Sequence, residues 1–167
     1  MGQINTREIV LLGPTAVTTS GTGPDINAIM GWQAAIVSVQ VQTVSGTTPT
    51  FDVYVQKKLG QPAATDLSGL PPTGTPIYDD LLHFTQMTSS GAGLGLRIAQ
   101  LATGEMQPTA NATLASTADW AQQDAQIAAG NLRIGPLGGL WRVKYVLGGT
   151  TPAGTLSVTV QLIPWST

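Results

Sequence analysis

The residues best suited to acid–base or metal chemistry lie together in the stretch Asp79-Asp80-Leu81-Leu82-His83. His83 is the single histidine of the chain, and histidine is the usual proton-transfer group near neutral pH. On a strand, alternation would place His83 and Asp79 on one face and Asp80 on the other. Catalysis or metal binding would need a further ligand or nucleophile, and the neighbouring sequence offers none. We expect these side chains at a solvated strand end or in a subunit contact.

A second candidate is the glycine-rich stretch Gly-Ala-Gly-Leu-Gly at 91–95, which resembles part of a dinucleotide-binding fingerprint. Such a fingerprint must open a crossover helix. Gly104 and Pro108 follow too soon for one, so we interpret the stretch as a loop between antiparallel strands. The sequence therefore predicts no catalytic residue, no cofactor and no metal site, and we do not expect an enzyme.

Three dispersed tryptophans, Trp32, Trp120 and Trp165, have faces on which a sugar ring could stack. This pattern leaves open a carbohydrate-binding module as an alternative function. Dispersed tryptophans are more often core or interface anchors. The glycan-binding alternative predicts affinity that is lost when one tryptophan is replaced by alanine.

The elements that must position these residues are strands. Residues 139–163 contain two runs of period two around a Gly-Thr-Pro segment, which predicts an antiparallel hairpin. Residues 33–44 and 50–59 predict a second hairpin that turns at 45–49. The side chains expected on the buried faces are Val37, Val39, Val41, Phe51, Val53, Val55, Trp141, Val143, Tyr145, Leu147, Leu156, Val158, Val160 and Leu162.

The rest of the chain supplies shorter elements. Strands are predicted at 7–12, 77–87, 94–102 and 131–134, and Leu96 and Ile98 are expected to face inward. A loop or arm is predicted at 15–24, a long loop at 60–76, and one or two helical turns within 104–130. About eight strands with turns between them predict an all-β fold, an antiparallel β-sandwich or jelly roll with an extended N-terminal arm and long loops. We divide the chain into an N-terminal strand and arm at 1–24 and a β-sandwich at 25–167, most simply one domain overall.

Composition limits the partners. Charged residues make up 10% of the 167, against about 25% in typical domains. A net charge of −2 with seven Lys and Arg argues against nucleic acid or anionic membrane as a partner. No signal peptide or membrane-spanning run is recognisable, so we expect a soluble protein made in the cytoplasm. A surface this poor in charge favours a protein that packs against other subunits.

One block near the end carries a family resemblance. Residues 131–163, NLRIGPLGGLWRVKYVLGGTTPAGTLSVTVQLI, resemble the closing segment of small structural proteins from tailed-bacteriophage virions. Residues 44–56, VSGTTPTFDVYVQ, and 78–84, YDDLLHF, are similar to the same group. Its members resemble jelly-roll decoration, or cement, proteins.

This resemblance implies a protein on the outside of the capsid, in the virion and synthesised in the host cytoplasm. It implies two partners, the major capsid protein and further copies of itself, commonly as a trimer that clamps neighbouring capsomers. A tail, head-fibre or baseplate component is the alternative within the same group. The N-terminal arm at 2–23 and the loop at 60–76 are candidate contact segments. The candidate contact residues are Arg7, Trp32, Tyr78, Asp79, Asp80, His83, Trp120 and Trp165.

Overall fold

The computed structural model describes residues 6–28, 32–60, 76–88, 97–102, 127–132 and 139–164. The elements in these ranges are the strands β1 (Arg7–Val17), β2 (Gly21–Thr22), β3 (Ile26–Ala28), β4 (Trp32–Gly60), β5 (Ile77–His83), β6 (Arg97–Ala102) and β7 (Gly139–Pro164). All their pairings are antiparallel, which confirms the all-β prediction for this part of the chain. Nothing in these ranges is a helix long and apolar enough to cross a bilayer. Residues 61–75 of the loop predicted at 60–76 and most of the predicted helical turns lie outside the described residues, whereas Gly60 belongs to β4.

The fold is built on the long ladder between β4 and β7, which pair from Trp32 opposite Pro164 to Lys57 opposite Trp141. The two predicted hairpins are therefore wrong, because each predicted half-strand pairs with the other long strand. The Gly-Thr-Pro segments lie opposite each other and interrupt the register without reversing the chain. Gly46 (φ 115°) and Gly149 (φ 96°) adopt backbone angles there that favour glycine. Alternation predicts which face of each strand is buried, but it does not predict which strand each one pairs with.

This interruption divides the ladder into a first half (residues 32–42 with 154–164) and a second half (residues 50–60 with 139–148). The first half is flanked by β1 on β7 and by β6 on β4. The second half is flanked by β2 and β3 on β7 and by β5 on β4. The prediction of a loop or arm at 15–24 is wrong for part of this range, because Thr15 to Val17 continue β1 and Gly21–Thr22 pair with β7. Burial of Val17 explains why this part of the chain is held in the sheet.

The core contains apolar side chains from both halves in one cluster. The inward valines of β4 and β7, with Phe51 and Trp141, are buried as the alternation predicts; Tyr145 and Leu147 are partly buried and pack against the cluster. The halves approach closely: a Cβ placed on Gly23 would lie 3.3 Å from Leu12 Cδ1 and 3.8 Å from Val143 Cβ. Leu12 belongs to the first half through β1, and Val143 to the second.

The buried and exposed faces of strand β6 are the reverse of those predicted. Ile98, expected inward, is 62% exposed, whereas Leu101 is 0% exposed. Ile98 lies opposite Ser38 and Leu101 opposite Ala35, so the inward face of β4 determines which side chain is buried. Apolar residues occur at both odd and even positions of this strand, so alternation could not predict which of its faces is buried. Of the short strand predicted at 131–134, Leu132 forms a single bridge with Leu82, and residues 133 and 134 lie outside the described residues.

Candidate functional site

A buried polar network occupies the outer face of the second half, on the side of the sheet away from the core cluster. It contains three of the predicted contact residues, Tyr78, Asp80 and His83, all on β5. The other members come from β4, β7 and the segment before β3. They are Asp25, Asp52, Tyr54, Gln56, Lys58 and Arg142.

A β-bulge brings Asp80 and His83 to the same face. His83 lies opposite Tyr54, and Asp80 lies opposite Gln56, with Leu81 as the additional residue between them. The prediction that Asp80 faces away from His83 is therefore wrong, because it assumed an uninterrupted alternation. The expected solvated strand end is also wrong, since Asp80 is 0% exposed and His83 is 5% exposed.

Asp80 accepts hydrogen bonds on both carboxylate oxygens. Gln56 Nε2 donates to Oδ1 at 2.7 Å, and the amide of Ile127 donates to Oδ2 at 3.2 Å. Gln56 in turn accepts a bond from Arg142 Nε at 2.8 Å. A buried carboxylate requires donors of this kind to offset the loss of water. The chain of bonds joins β7, β4, β5 and the segment at 127 in one row.

His83 makes its contacts through both ring nitrogens. Nδ1 lies 2.8 Å from the carbonyl oxygen of Ile127, and Nε2 lies 3.1 Å from Asp52 Oδ1. The imidazole stacks on Tyr54, with ring centroids 3.9 Å apart and planes at 22°. Gln86 Nε2 donates to the second oxygen of Asp52 at 2.7 Å, which holds that carboxylate in place.

Tyr78 connects the network to the segment between β2 and β3. Its hydroxyl donates to Asp25, 2.9 Å from Oδ1 and 3.0 Å from Oδ2. Lys58 Nζ lies 3.3 Å from the same carboxylate. The Arg142 guanidinium carbon lies 3.2 Å from the centre of the Tyr78 ring, a cation–π contact. This group therefore fastens the β2–β3 segment to β4, β5 and β7.

Segment 127–132 covers the network and pairs with the open edge of β5. The amide of His83 donates to the carbonyl of Asn131 at 3.0 Å, and the amide of Gly130 donates to the carbonyl of His83 at 2.9 Å. Tyr54 and Gln56 lie on the outer face of β4 but are buried beside this covered region. No local signal in the sequence marks these contacts, because Ile127 is 44 and 47 positions from its partners His83 and Asp80.

These contacts hold neighbouring strands and segments together, and we call the network a structural brace. Both polar partners of His83 lie within the chain, so both ring nitrogens are occupied by structural contacts. Within the described ranges, no group of three or more Asp, Glu or His side chains could hold a metal ion. The arrangement orients segment 127–132 and the β2–β3 segment on the sheet.

The outer face of the first half differs, because it is accessible and nearly free of charge. We call it the neutral face. Its central side chains are Ile36, Ser38, Gln40 and Gln42 on β4 and Thr155, Ser157, Thr159 and Gln161 on β7. Two exposed apolar residues flank them in one cross-strand row, Val10 (52% exposed) opposite Thr159 and Ile98 opposite Ser38. Glu8 on β1 is a charged residue on this face.

The remaining predicted contact residues that the structure describes lie apart from this network. Arg7 is exposed on β1 at the first half. Trp32 is partly buried and packs against the core cluster. Asp79 is partly buried opposite Lys57, on the other face from Asp80. Trp120 and Trp165 lie outside the described residues. The structure thus brings together Tyr78, Asp80 and His83, but not Arg7, Trp32 or Asp79.

The tyrosines of the network predict loss of stability in alkali. Burial raises the pKa of Tyr54 above 10.0, with Asp52 and Asp80 adding to the rise. Burial, followed by the hydrogen bond to Asp25, raises the pKa of Tyr78. A folded-state pKa above the unfolded value means that the contribution is fully present below pH 10 and is lost as pH rises through the folded pKa.

We therefore expect the free energy of unfolding to fall above about pH 10, with a smaller fall in Tyr78→Phe. Urea unfolding between pH 8 and 11 and the ultraviolet titration of tyrosine measure the two effects. Equal alkaline losses in Tyr78→Phe and the parent protein would contradict the assignment to Tyr78.

Comparison of the chain with protein-family models, with curated proteins and with solved structures finds no match.

Proposed function

We propose that this chain is a structural protein of a tailed-bacteriophage virion, which binds the outside of the capsid as a trimer and bridges neighbouring capsomers. The starting point is the resemblance of residues 131–163, 44–56 and 78–84 to proteins of that group. The role requires no chemistry. It requires a rigid domain with an accessible binding surface, and binding to the assembled shell alone would stabilise the shell by mass action.

The strand pairing supports a jelly-roll architecture for this domain. Counting β2 and β3 as one segment, and each half of β4 and β7 as one, gives eight segments in chain order. The pairs are then 1 with 8, 2 with 7, 3 with 6 and 4 with 5, and the long ladder adds 3 with 8 and 4 with 7. A long antiparallel hairpin wound into two facing sheets has this pairing, and jelly rolls of eight strands form viral capsid and lectin domains. We therefore propose a β-sandwich of jelly-roll topology.

The neutral face is the observation that carries the binding function. It offers hydroxyl and amide groups between two exposed apolar residues, Val10 and Ile98. Such a surface suits a hydrogen-bonded, water-containing contact with another protein. It has little charge of its own to desolvate, apart from Glu8. The buried network on the other half is a poorer candidate, because Tyr78, Asp80 and His83 are occupied by contacts within the chain.

The first test combines solution mass with shell binding. Light scattering should give the mass of a trimer. The protein should sediment with expanded shells of the phage that encodes it, prepared without it, and should raise their melting temperature. A monomer that stays in the supernatant would contradict the proposal, and sedimentation with tails instead would favour the tail or baseplate alternative.

Variants of the neutral face test which surface binds. Val10→Ser and Ile98→Ser should each change the free energy of unfolding by less than about 0.5 kcal/mol, because both side chains are exposed. The double variant should nevertheless bind shells or its own copies at least about ten-fold more weakly. Leu140→Ser is the matched control, since Leu140 is an exposed apolar residue on the second half. Equal losses in the control and the double variant would contradict the assignment to the neutral face.

A further inference from the structure

The two polar contacts of His83 bear on the protonation of its ring. The Ile127 carbonyl oxygen at Nδ1 can only accept a hydrogen bond, and the Asp52 carboxylate at Nε2 accepts one as an ionised group. A neutral imidazole carries one N–H, whereas the imidazolium carries two. Both contacts are therefore hydrogen bonds only when the ring holds both protons. In that state the Asp52 carboxylate, 3.1 Å from Nε2, balances the charge of the ring.

We propose that His83 is a pH-sensitive clamp on segment 127–132. As the imidazolium it donates to the carbonyl of Ile127 and to Asp52, and so holds the segment over the edge of β5. When the ring releases its Nδ1 proton to solvent, Nε2–H stays on the Asp52 carboxylate, the stronger acceptor; the bond to the Ile127 carbonyl is lost and the segment is held less firmly. This regulatory role goes beyond the proposed capsid binding and does not depend on it.

The backbone of the first residue of the segment is fastened by side chains of the network, and its own side chain is buried. Both backbone polar groups of Ile127 bond to side chains of the network, the carbonyl to His83 and the amide to Asp80. Gly130 and Asn131 bond to the backbone of His83, so the segment remains attached when Ile127 is released. The expected change is a local loosening and not an unfolding of the domain.

Ionisable groups face His83 from the strands packed around it. Asp52 and Tyr54 face it from β4, Asp80 lies on the same face of β5, and Arg142 and Lys144 occupy the same face of β7. The described part of segment 127–132 contains no ionisable side chain. Burial, with the two carboxylates, raises the pKa of Tyr54, which keeps that ring neutral below pH 8. Histidine is the side chain that ordinarily changes charge between pH 5 and 8.

The test uses the full chain and two NMR measurements. Because His83 is the single histidine, one imidazole signal reports its protonation, and at pH 5.5 both ring nitrogens should carry protons. Amide exchange, corrected for its intrinsic dependence on pH, should show that the protection of Ile127 falls roughly ten-fold or more between pH 5.5 and 8. The amide of Gly23, bonded to Val143 on another part of the sheet, should keep its protection and serves as the internal control.

His83→Gln should remove the pH dependence at Ile127, because the amide side chain does not titrate. Its protection should stay at one low value from pH 5.5 to 8. A neutral imidazole tautomer at pH 5.5, or equal protection of Ile127 at both pH values in the parent protein, would overturn the proposal. Both of these outcomes are measured without any variant, so they do not depend on whether His83→Gln folds.

Discussion

Replacing Asp80 by alanine is expected to lower the free energy of unfolding by about 3 kcal/mol, because two buried donors lose their acceptor at once. Gln56 Nε2 and the Ile127 amide both bond to this carboxylate, and the residue is fully buried. Asp80→Asn should cost less, about 2 kcal/mol, since one carbonyl oxygen is retained while the amide nitrogen meets the other donor. Urea unfolding with comparison of the m-values measures both changes.

Asp79→Ala is the matched control for this prediction. It removes a neighbouring carboxylate of the same strand that is partly buried and lies opposite Lys57, and a partly exposed ion pair contributes about 1 kcal/mol or less. The description of the network as a brace fails if Asp80→Ala is no more destabilising than Asp79→Ala. Exchange protection at Ile127 should also fall in Asp80→Ala, because its amide loses the acceptor.

Replacing Gly149 by alanine is expected to cost a further large amount, also about 3 kcal/mol. Gly149 has φ of 96° at the interruption of the long ladder. A Cβ at this position would press against the backbone carbonyl of Thr48 and would lie 2.8 Å from that of Thr47. These obstacles are backbone atoms of the paired strand, so relief requires the ladder itself to shift. Thermal unfolding should show a lower midpoint by about 6 to 12 °C.

Gly13→Ala provides the comparison for Gly149→Ala. A Cβ on Gly13 of β1 would meet nothing within 4 Å, and we expect a change within about 0.5 kcal/mol. Gly46→Ala should resemble Gly149→Ala, since Gly46 has φ of 115° and its added Cβ would lie 2.7 Å from the carbonyl oxygen of Thr151. Similar stabilities for Gly13→Ala and Gly149→Ala would show that the interruption tolerates side chains and would contradict its role as a fixed bend.

The sequence by itself determined the class of fold and the faces of the long strands. The pleat of a strand sends successive side chains to opposite faces, so alternating Val37, Val39 and Val41 could face the core only together. The same reasoning placed Phe51 and Trp141 correctly. It also indicated a surface poor in charge, because composition alone limits how many ionised groups the chain can expose.

Tertiary structure decided the partners, the bulge and the candidate site. Any two alternating runs can pair, and which pair forms depends on contacts distant in the chain, such as Ser38 with Thr159 at a separation of 121 positions. The additional residue Leu81 shifts the alternation of β5 by one position, so that Asp80 and His83 lie on the same face. Segment 127–132 then buried both of them. Local sequence carries no record of such contacts, because a polar side chain is stable in water or in a buried network, and only the rest of the fold selects between the two.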